Sequence, residues 1–472
     1  MSVMPKVKSL QNLIDSLPNL VEYFYNDTQA PHSRERAGLS PVPAEFSNWR
    51  EEQHAWRRTA VLFDQSHHMP ELFLKGPDAF RLLNYIGINS FANFVPGMAK
   101  QFVACAPSGF VIGDCVLFYL EKDSFELVSG MTLQDWVQFQ AEQGKYDVTI
   151  TRDPPTSLNP TGRTNFRFGL DGPNAEKIFK EVVEGEAPEI AFFRTARVTI
   201  AGCPVLALRH GMAGHKGVEL AGPYEQGPAV RTAILAAGEK YGIRPGGKIA
   251  YFSAANESGW MAYPLPAIYT GEELREFREW LPATSWEAHS QLAGSFYSDE
   301  IEDYYNNLWE LGYGRIIKFD HDFIGRASLE KMAKQPHRVN VTLVWNADDV
   351  AKVFSSVLKP EPRYKYLSLP LSSYGFPQCD EVRSTDGRLI GFSNLSGYSS
   401  NESKVLSLAM VDSEFATPGT EVILVWGEVK GGSRKSHVER HEQLNVRATV
   451  GPLPYAESVR KMKRGTIGQG GN

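Results

Sequence analysis

Apolar residues recur along the chain with two different spacings, one helical and one extended. Near the N-terminus a helical spacing predicts an amphipathic helix between residues 6 and 25. From Glu45 the pattern runs as helix, turn, strand, Gly-Pro-Asp turn and helix, until the proline-rich linker 154–162 interrupts it. From Arg338 onwards short alternating segments with Gly and Pro turns predict a small antiparallel β domain.

One strand-turn-helix unit occurs twice. The segment 73–86 reads FLKGPDAFRLLNYI, and the segment 166–182 repeats its order of strand, glycine-proline turn and helix. Two copies of one unit indicate a pair of pseudo-symmetric α+β halves around a central cleft. With 472 residues the chain exceeds one hydrophobic core. We therefore expect an α+β protein with three domains, at 1–160, 161–336 and 337–472.

The stretch from His210 to Tyr269 departs from simple periodicity. A glycine-punctuated loop leads into Val-Glu-Leu, so the lone acid Glu219 stands at the start of a short strand, where it can be aimed into a cleft. An amphipathic helix is predicted over 228–241. The run 250–260 is polar and aromatic with too little periodicity for core, which predicts side chains converging on a pocket. These are Tyr251, Asn256, Glu257 and Trp260.

Bulk properties exclude several classes of partner. Hydrophobic residues make up 42% and charged residues 22%, and the formal net charge of -6 gives no electrostatic reason for binding nucleic acid or an anionic membrane. No stretch approaches the roughly 18 apolar residues of a membrane span. Four cysteines without a CxxC pair fit a reducing compartment, so a cytoplasmic protein is expected. The oligomeric state stays open.

Two motifs carry a family resemblance. The pattern Gly-x-x-Gly-x-x-Gly-Val-Glu-Leu, then a helix, then Ala-Tyr-Phe-Ser-Ala-Ala-Asn-Glu-Ser-Gly resembles the aminomethyltransferase (glycine-cleavage T-protein) family of folate enzymes. The resemblance implies that Glu219 grips the pterin ring of tetrahydrofolate. Tyr251 stands where the family has an arginine. A tyrosine there resembles the branch of tetrahydrofolate-dependent aryl O-demethylases that act on vanillate, syringate and related methoxylated aromatics.

Two further signatures extend the resemblance over most of the chain. Ten positions agree with the N-terminal signature without a gap, although Gln53 replaces its first histidine: Glu52, Arg57, Phe63, Asp64, Ser66, His67, Gly76, Pro77, Asp78 and Ala79. The closing signature is matched by Lys318, Phe323, Ile324, Gly325, Arg326 and Leu329. The implied fold is that of the T-protein, with a folate cleft between two halves and a C-terminal antiparallel, barrel-like β domain.

Gln65 and His68 are polar where the family usually has apolar residues. In an extended segment successive side chains point to opposite faces, so His67 and His68 are not expected to line one pocket. One structural histidine and one surface histidine are the alternative interpretation. In the aryl O-demethylases a glutamine and the second histidine lie at the active site. The resemblance therefore favours Gln65 as a folate-binding residue and His68 as a catalytic one.

The remaining folate contacts follow from the resemblance alone. The family has an acidic pair where Gly113 and Asp114 stand, and the second acid touches the folate. The resemblance adds Val128 and Trp260 to this set. Vanillate-type enzymes have a substrate-facing arginine near the position of Gly130, but this chain has none between residues 118 and 132. How a substrate carboxylate is held is therefore open.

Two histidine-containing stretches permit a metal-site interpretation. His437 and His441 are spaced as ligands on one helix face, but no third ligand accompanies them, so a solvated loop or strand edge is preferred. The consecutive residues Asp320, His321 and Asp322 cannot converge on one ion, so a charged turn is preferred. No metal is expected, and tetrahydrofolate is the expected cofactor.

The resemblance implies methyl transfer from an aromatic methyl ether to tetrahydrofolate, with release of a phenol. Phenoxide leaves reluctantly, so the site needs a donor to the ether oxygen, and Tyr251 is the expected group, with His68 the next candidate. The alternative role for Tyr251 is stacking on a ring. Alternative functions are a T-protein-like aminomethyltransferase, a folate-binding protein without methyl transfer, a domain separated from a flavoprotein dehydrogenase, and a protein that retains only the fold.

Overall fold

The computed structural model describes residues 8–28, 41–159, 161–211, 217–261, 263–432, 434–435, 437–457 and 459–461. Within these residues eighteen strands, numbered β1 to β18 along the chain, form three sheets. Helices pack against each sheet. The predicted α+β class is confirmed.

The first sheet has five strands in the order β3-β4-β5-β2-β6. They are β2 (Glu71–Lys75), β3 (Met98–Cys105), β4 (Val111–Glu121), β5 (Ser124–Val128) and β6 (Thr149–Asp153). The helices Ala79–Ile86 and Met131–Gln143 pack here, and their buried side chains share one hydrophobic core with Leu72 and Leu127. This sheet carries Asp114 on β4.

The second sheet has six strands in the order β11-β1-β7-β10-β9-β8. They are β1 (Ala60–Asp64), β7 (Asn165–Asp171), β8 (Thr195–Ile200), β9 (Cys203–Leu208), β10 (Val218–Pro223) and β11 (Ile243–Gly246). The helices Ala175–Val182 and Gly227–Gly238 pack against it. Strand β1 comes from the predicted first domain yet pairs with β7 and β11 of the second. Strand β1 therefore links the first half to the sheet of the second half.

The repeated strand-turn-helix unit is present in both sheets. Strand β2 leads through Gly76 into one helix, and β7 leads through Gly172 into its counterpart. Both glycines have positive φ, 148° and 119°. A Cβ at Gly76 would lie 2.3 Å from the carbonyl oxygen of Asp147, and one at Gly172 would lie 2.8 Å from that of Thr59. The same close backbone approach explains the glycine in both copies.

The third sheet closes into a barrel. Its order is β13-β15-β14-β17-β18-β12-β16, and an additional pairing of β15 with β16 completes a ring of six strands. The strands are β12 (Val339–Trp345), β13 (Leu371–Ser372), β14 (Asp380–Arg383), β15 (Leu389–Ser399), β16 (Lys404–Val411), β17 (Glu421–Trp426) and β18 (Leu444–Gly451). The expected C-terminal barrel is confirmed, although the pattern did not predict the helix Ala347–Ser356 beside it.

The remaining helices connect the sheets. The helix predicted over 6–25 is interrupted at Pro18, because Leu10–Ser16 ends before it and a second helical segment follows, Leu20–Glu22 continuing as the π-helix Tyr23–Asp27. The other helices of six or more residues among the described ones are Trp49–Arg58, Lys248–Ser258, Arg275–Trp280 and Arg326–Met332. None of the described helices combines the length and hydrophobicity of a membrane span. All four cysteines are free thiols.

Candidate functional site

A cavity of about 700 Å³ lies between the five-stranded sheet, the helix Lys248–Ser258 and the segment that leads into the barrel strand β14. The five-stranded sheet contributes Asp114, the helix Lys248–Ser258 contributes Phe252, and the segment preceding β14 contributes Phe376. Most of the remaining lining is apolar or aromatic, with hydroxyl groups and histidines interspersed. Such a volume accommodates organic ligands, and the few polar groups fix their orientation.

The helix Lys248–Ser258 forms one wall and is buried on most of its surface. Its side chains Tyr251, Asn256 and Glu257 are 7%, 1% and 1% exposed, so the prediction that this run is too irregular for core is wrong. A helix covered on all sides needs no apolar stripe. Asn256 and Glu257 do not line the cavity and instead bond to the protein around the helix. Of the four residues predicted to converge, only Trp260 lines it directly.

The N-terminal signature residues hold this helix in place. Glu52 accepts hydrogen bonds from the amides of Phe46 and Gly247, at 2.7 and 2.8 Å. Glu257 accepts from the indole of Trp56 at 3.0 Å and from the guanidinium of Arg57 at 2.7 Å. These buried, charge-assisted bonds fix the start and the end of the helix that carries Tyr251.

His67 and His68 both line the cavity, contrary to the expectation for an extended segment. Strand β1 ends at Asp64, and the next residues form a turn, so side-chain alternation does not continue. His67 is bonded to the hydroxyl of Thr156 at 2.9 Å. Burial, with the nearby His67 and Arg163, lowers the pKa of His68 to about 3, so this imidazole is neutral near pH 7.

Tyr251 lies immediately behind His68. The two ring centroids are 4.7 Å apart, and both residues line a small void beside the cavity. Gln65 donates to the Tyr251 hydroxyl at 3.5 Å. Burial raises the pKa of Tyr251 well above 10, and the nearby Tyr263 and Glu219 raise it further. The phenol is therefore protonated at neutral pH.

Gly169 on β7 lies between Glu219 and Gln65. It pairs with Glu219 on β10, and a Cβ at Gly169 would lie 3.3 Å from the Gln65 Nε2 atom. His210 bonds Glu219 at 2.6 Å. Burial alone would raise the pKa of Glu219, but the charge and hydrogen bond of His210 hold it below its usual value. His210 was not singled out from the sequence, and Gly214 of the same motif lies outside the described residues.

Asp114 faces the cavity from β4. Gln101 and Tyr313 both donate to its Oδ2 atom, the latter at 2.9 Å. Trp260 lines the same wall and donates to the Tyr313 hydroxyl at 3.3 Å. Burial raises the pKa of Asp114 to about 6 although these donors oppose the shift. Tyr313 is 199 residues away in sequence, and no local pattern pointed to it.

Near the end of β5, Gly130 lines the cavity and Val128 packs in a hydrophobic cluster. Gly130 lines the cavity at φ 69°, and a Cβ there would lie 2.4 Å from the carbonyl oxygen of Asp114. This backbone leaves no room for a side chain at position 130. Val128 is buried with Phe118 and Leu208, so the structure does not bring its side chain to the described lining of the cavity.

A buried ion cluster joins the two α+β sheets near this site. Arg167 on β7 is bonded to Glu71 on β2 and to Glu126 on β5. Burial raises the pKa of Glu126 to about 7 despite the opposing charge of Arg167. Arg163 adds a second cation 3.7 Å from Glu71. This cluster fixes the relative position of the sheets that carry Asp114 and Glu219.

The two histidine-containing stretches that permitted a metal-site interpretation have local partners. His321 bonds to Asp320 and to the carbonyl of Gly87, both at 2.8 Å, as expected for a charged turn. His441 is buried and accepts from the amide of Glu428 at 2.9 Å, so the preferred interpretation of a solvated position is wrong. Among the described residues no three acidic, histidine or cysteine side chains are grouped as metal ligands.

The site has unsatisfied polar atoms that a ligand can complete. Within the described part of the chain, the Gln65 Oε1 and His68 Nε2 atoms are buried without a hydrogen-bond partner. Buried polar atoms in native proteins are nearly always paired. Of the predicted folate and catalytic residues, His68, Asp114 and Trp260 are among the described residues that line the cavity, whereas Gln65, Glu219 and Tyr251 are not.

Comparisons with known proteins identify the family of the chain. The family model of the GCVT N-terminal domain matches residues 23–265. Syringate O-demethylase of Sphingobium sp. (strain NBRC 103272 / SYK-6) is 46% identical over 96% of this chain and 97% of its own length. Sesamin methylene transferase of Sinomonas sp. (strain No.22) is 29% identical over 89% and 91%.

A solved structure shares the fold. The glycine cleavage system aminomethyltransferase T from Bartonella henselae superposes with a TM-score of 0.60 at 18% identity, over 93% of this chain and 96% of its own. Such low identity establishes the fold alone. The sequence matches extend over both α+β halves and the barrel. The chain therefore belongs to the aminomethyltransferase family, whose members share the GCVT N-terminal domain.

Proposed function

We propose that this protein transfers the methyl group of an aromatic methyl ether to tetrahydrofolate, giving a phenol and 5-methyltetrahydrofolate. The observation that carries the proposal is the neutral, buried Tyr251, held against His68 and Gln65 in the position where the family has an arginine. The 46% identity to a syringate O-demethylase over nearly the whole of both chains supports the same chemistry.

The proposed folate site consists of Glu219, Gln65, Asp114 and Trp260. Glu219 and Asp114 present carboxylate oxygens to N–H donors, and Gln65 has an unpaired buried oxygen. Tetrahydrofolate, when bound, supplies the nitrogen nucleophile that accepts the methyl carbon. Val128 stays in the proposal only as a backbone contact, because its side chain packs in the core.

Tyr251 acts on the leaving oxygen. The bond between the methyl carbon and the ether oxygen breaks, and the departing oxygen gains negative charge that a hydrogen-bond donor stabilises. The raised pKa of Tyr251 keeps its proton available at neutral pH. Neutral His68 packs against its ring and adds no competing positive charge. The raised pKa favours hydrogen-bond donation over complete transfer of the tyrosine proton, so the proton that completes the phenol would be the one that the folate nitrogen loses on gaining the methyl group.

The substrate is a small methoxylated aromatic, such as syringate, vanillate or 3-O-methylgallate. Phe252, Trp286 and Phe376 line the cavity and offer rings for stacking. A cytoplasmic location belongs to the same proposal, since four free thiols fit a reducing compartment.

Methyl-labelled substrates test the function. Purified protein and tetrahydrofolate are incubated with vanillate, syringate and 3-O-methylgallate that carry ¹³C in the methoxy group. The proposal predicts one equivalent of phenol and of labelled 5-methyltetrahydrofolate for each turnover. Labelled methanol or formaldehyde, or no phenol from any substrate, would contradict it. Release of methylenetetrahydrofolate from an aminomethyl donor would instead favour the T-protein-like activity.

A further inference from the structure

Lys248 is the first residue of the helix that carries Tyr251, and it lines both the cavity and the small void beside His68. Among the described residues that line the cavity, it is the only lysine or arginine. Its side chain is half-buried and forms no hydrogen bond or ion pair with any described residue. A partly desolvated ammonium without a counter-ion favours binding of an anion.

The neighbouring charged groups have other partners. Asp64 lines the small void with Lys248, but its carboxylate accepts from the Ser66 amide at 3.0 Å and faces His67 at 3.8 Å. Asp114 is held by Gln101 and Tyr313. Burial lowers the pKa of both His67 and His68, so these imidazoles do not supply a second cation at neutral pH.

The backbone at the start of this helix is also occupied. The amides of Gly247, Lys248 and Ile249 donate to Glu52, Pro43 and Ala44, at 2.8, 3.1 and 3.2 Å. An anion at this end of the cavity therefore meets the lysine side chain and not free amides.

Lys248 and Tyr251 are three residues apart on one helix, so they share a face with Cβ atoms about 5–6 Å apart. A benzene ring that places its methoxy oxygen at Tyr251 can direct a carboxylate on its far side towards Lys248.

We propose that Lys248 binds the carboxylate of the methoxylated aromatic substrate and makes this cavity selective for aromatic acids over their neutral analogues. This proposal rests on the proposed function for the identity of the substrate. It places the cationic contact on the helix that carries Tyr251.

The test compares Lys248→Met with Lys248→Arg and the parent protein. Calorimetric titrations use syringate, its neutral methyl ester and tetrahydrofolate as separate ligands. We expect Lys248→Met to weaken syringate binding by about 10–100-fold, as for loss of a charge-assisted bond, with the methyl ester and tetrahydrofolate unchanged. Lys248→Arg should retain most of the affinity for syringate. Thermal unfolding of each variant establishes that the fold is intact.

Three outcomes would overturn the proposal. Equal weakening for syringate and its ester would show that the lysine only shapes the cavity. Weakened tetrahydrofolate binding with unchanged syringate binding would assign Lys248 to the glutamate tail of the folate. If the parent protein did not bind syringate, Lys248 would have no aromatic carboxylate to bind and the proposal would be wrong. Because these are binding measurements, a parent that binds syringate but releases no phenol contradicts the proposed function and not the role of Lys248.

Discussion

The ring of His68 meets the ring of Tyr251 edge-on, with the centroids 4.7 Å apart and the planes inclined by 64°. Edge-on contacts of this kind are favourable and orient both rings. Because the imidazole is neutral, it lends the phenol no positive charge that would lower its pKa. The pair therefore places a protonated tyrosine directly behind the cavity wall formed by His68, and this arrangement is the basis of the proposed activity.

Glu219→Gln is expected to weaken tetrahydrofolate binding by about 2–4 kcal/mol, because it removes a charged acceptor from a buried site. The same change removes the carboxylate partner of the half-buried His210, so the pKa of His210 falls from its raised value. Calorimetry measures the first effect and an NMR titration of the imidazole the second. Tetrahydrofolate affinity equal to that of the parent would remove Glu219 from the folate site.

The raised pKa of Asp114 predicts that folate binding depends on pH. Its folded-state pKa is about 6, so the carboxylate that accepts N–H donors is lost as the pH falls below 6, and affinity falls with it. The stability effect has the opposite sign, because the raised pKa favours the folded protein at low pH and this contribution disappears as the pH rises through 6. Titrations of tetrahydrofolate into the parent protein between pH 5 and 8 should show the affinity falling as the pH decreases. The same dependence of affinity on pH in Asp114→Asn would exclude this carboxylate as its cause.

Arg167→Met is expected to destabilise the protein by about 3–5 kcal/mol, because it leaves Glu71 and Glu126 buried without their shared cation. Urea unfolding measures the loss. Arg434→Met is the control, since that arginine pairs with Asp27 at the surface and the unfolding midpoint should hardly change. Similar midpoints for the two variants would show that the buried cluster does not join the sheets.

Gly130→Ala should destabilise the protein more than Gly97→Ala. Both glycines have positive φ, 69° and 83°, so both substitutions carry a backbone cost of about 1 kcal/mol or more. Only the Cβ at position 130 meets an atom, the Asp114 carbonyl oxygen at 2.4 Å, whereas position 97 opens to empty space. Thermal unfolding compares the two. Equal losses would mean that the backbone around Gly130 tolerates a side chain, and an arginine there would become conceivable.

The sequence predicted the large features because they depend on local patterns. The repeated strand-turn-helix unit follows from glycine at two close backbone approaches, and the barrel follows from alternation in short strands. The signatures also identified Glu219, Asp114 and Tyr251, although the roles of these residues remain proposals.

Features that depend on contacts between residues far apart in the sequence were not predicted. His67 and His68 share one cavity because β1 ends before them, and no residue type marks that end. The helix Lys248–Ser258 has no apolar stripe because it is enclosed, and Trp56 and Arg57 satisfy the polar atoms of Glu257. Tyr313 reaches Asp114 only through the tertiary fold.

The central claim is that the Tyr251 hydroxyl stabilises the departing oxygen, and Tyr251→Phe tests it because the ring is kept and only the hydroxyl is removed. Single-turnover mixing of enzyme, tetrahydrofolate and methyl-labelled syringate measures the rate of methyl transfer directly. The account predicts a fall of about 10²–10⁴-fold in that rate, with tetrahydrofolate binding little changed. Transfer within a few-fold of the parent rate would contradict it and would make His68 the next candidate donor.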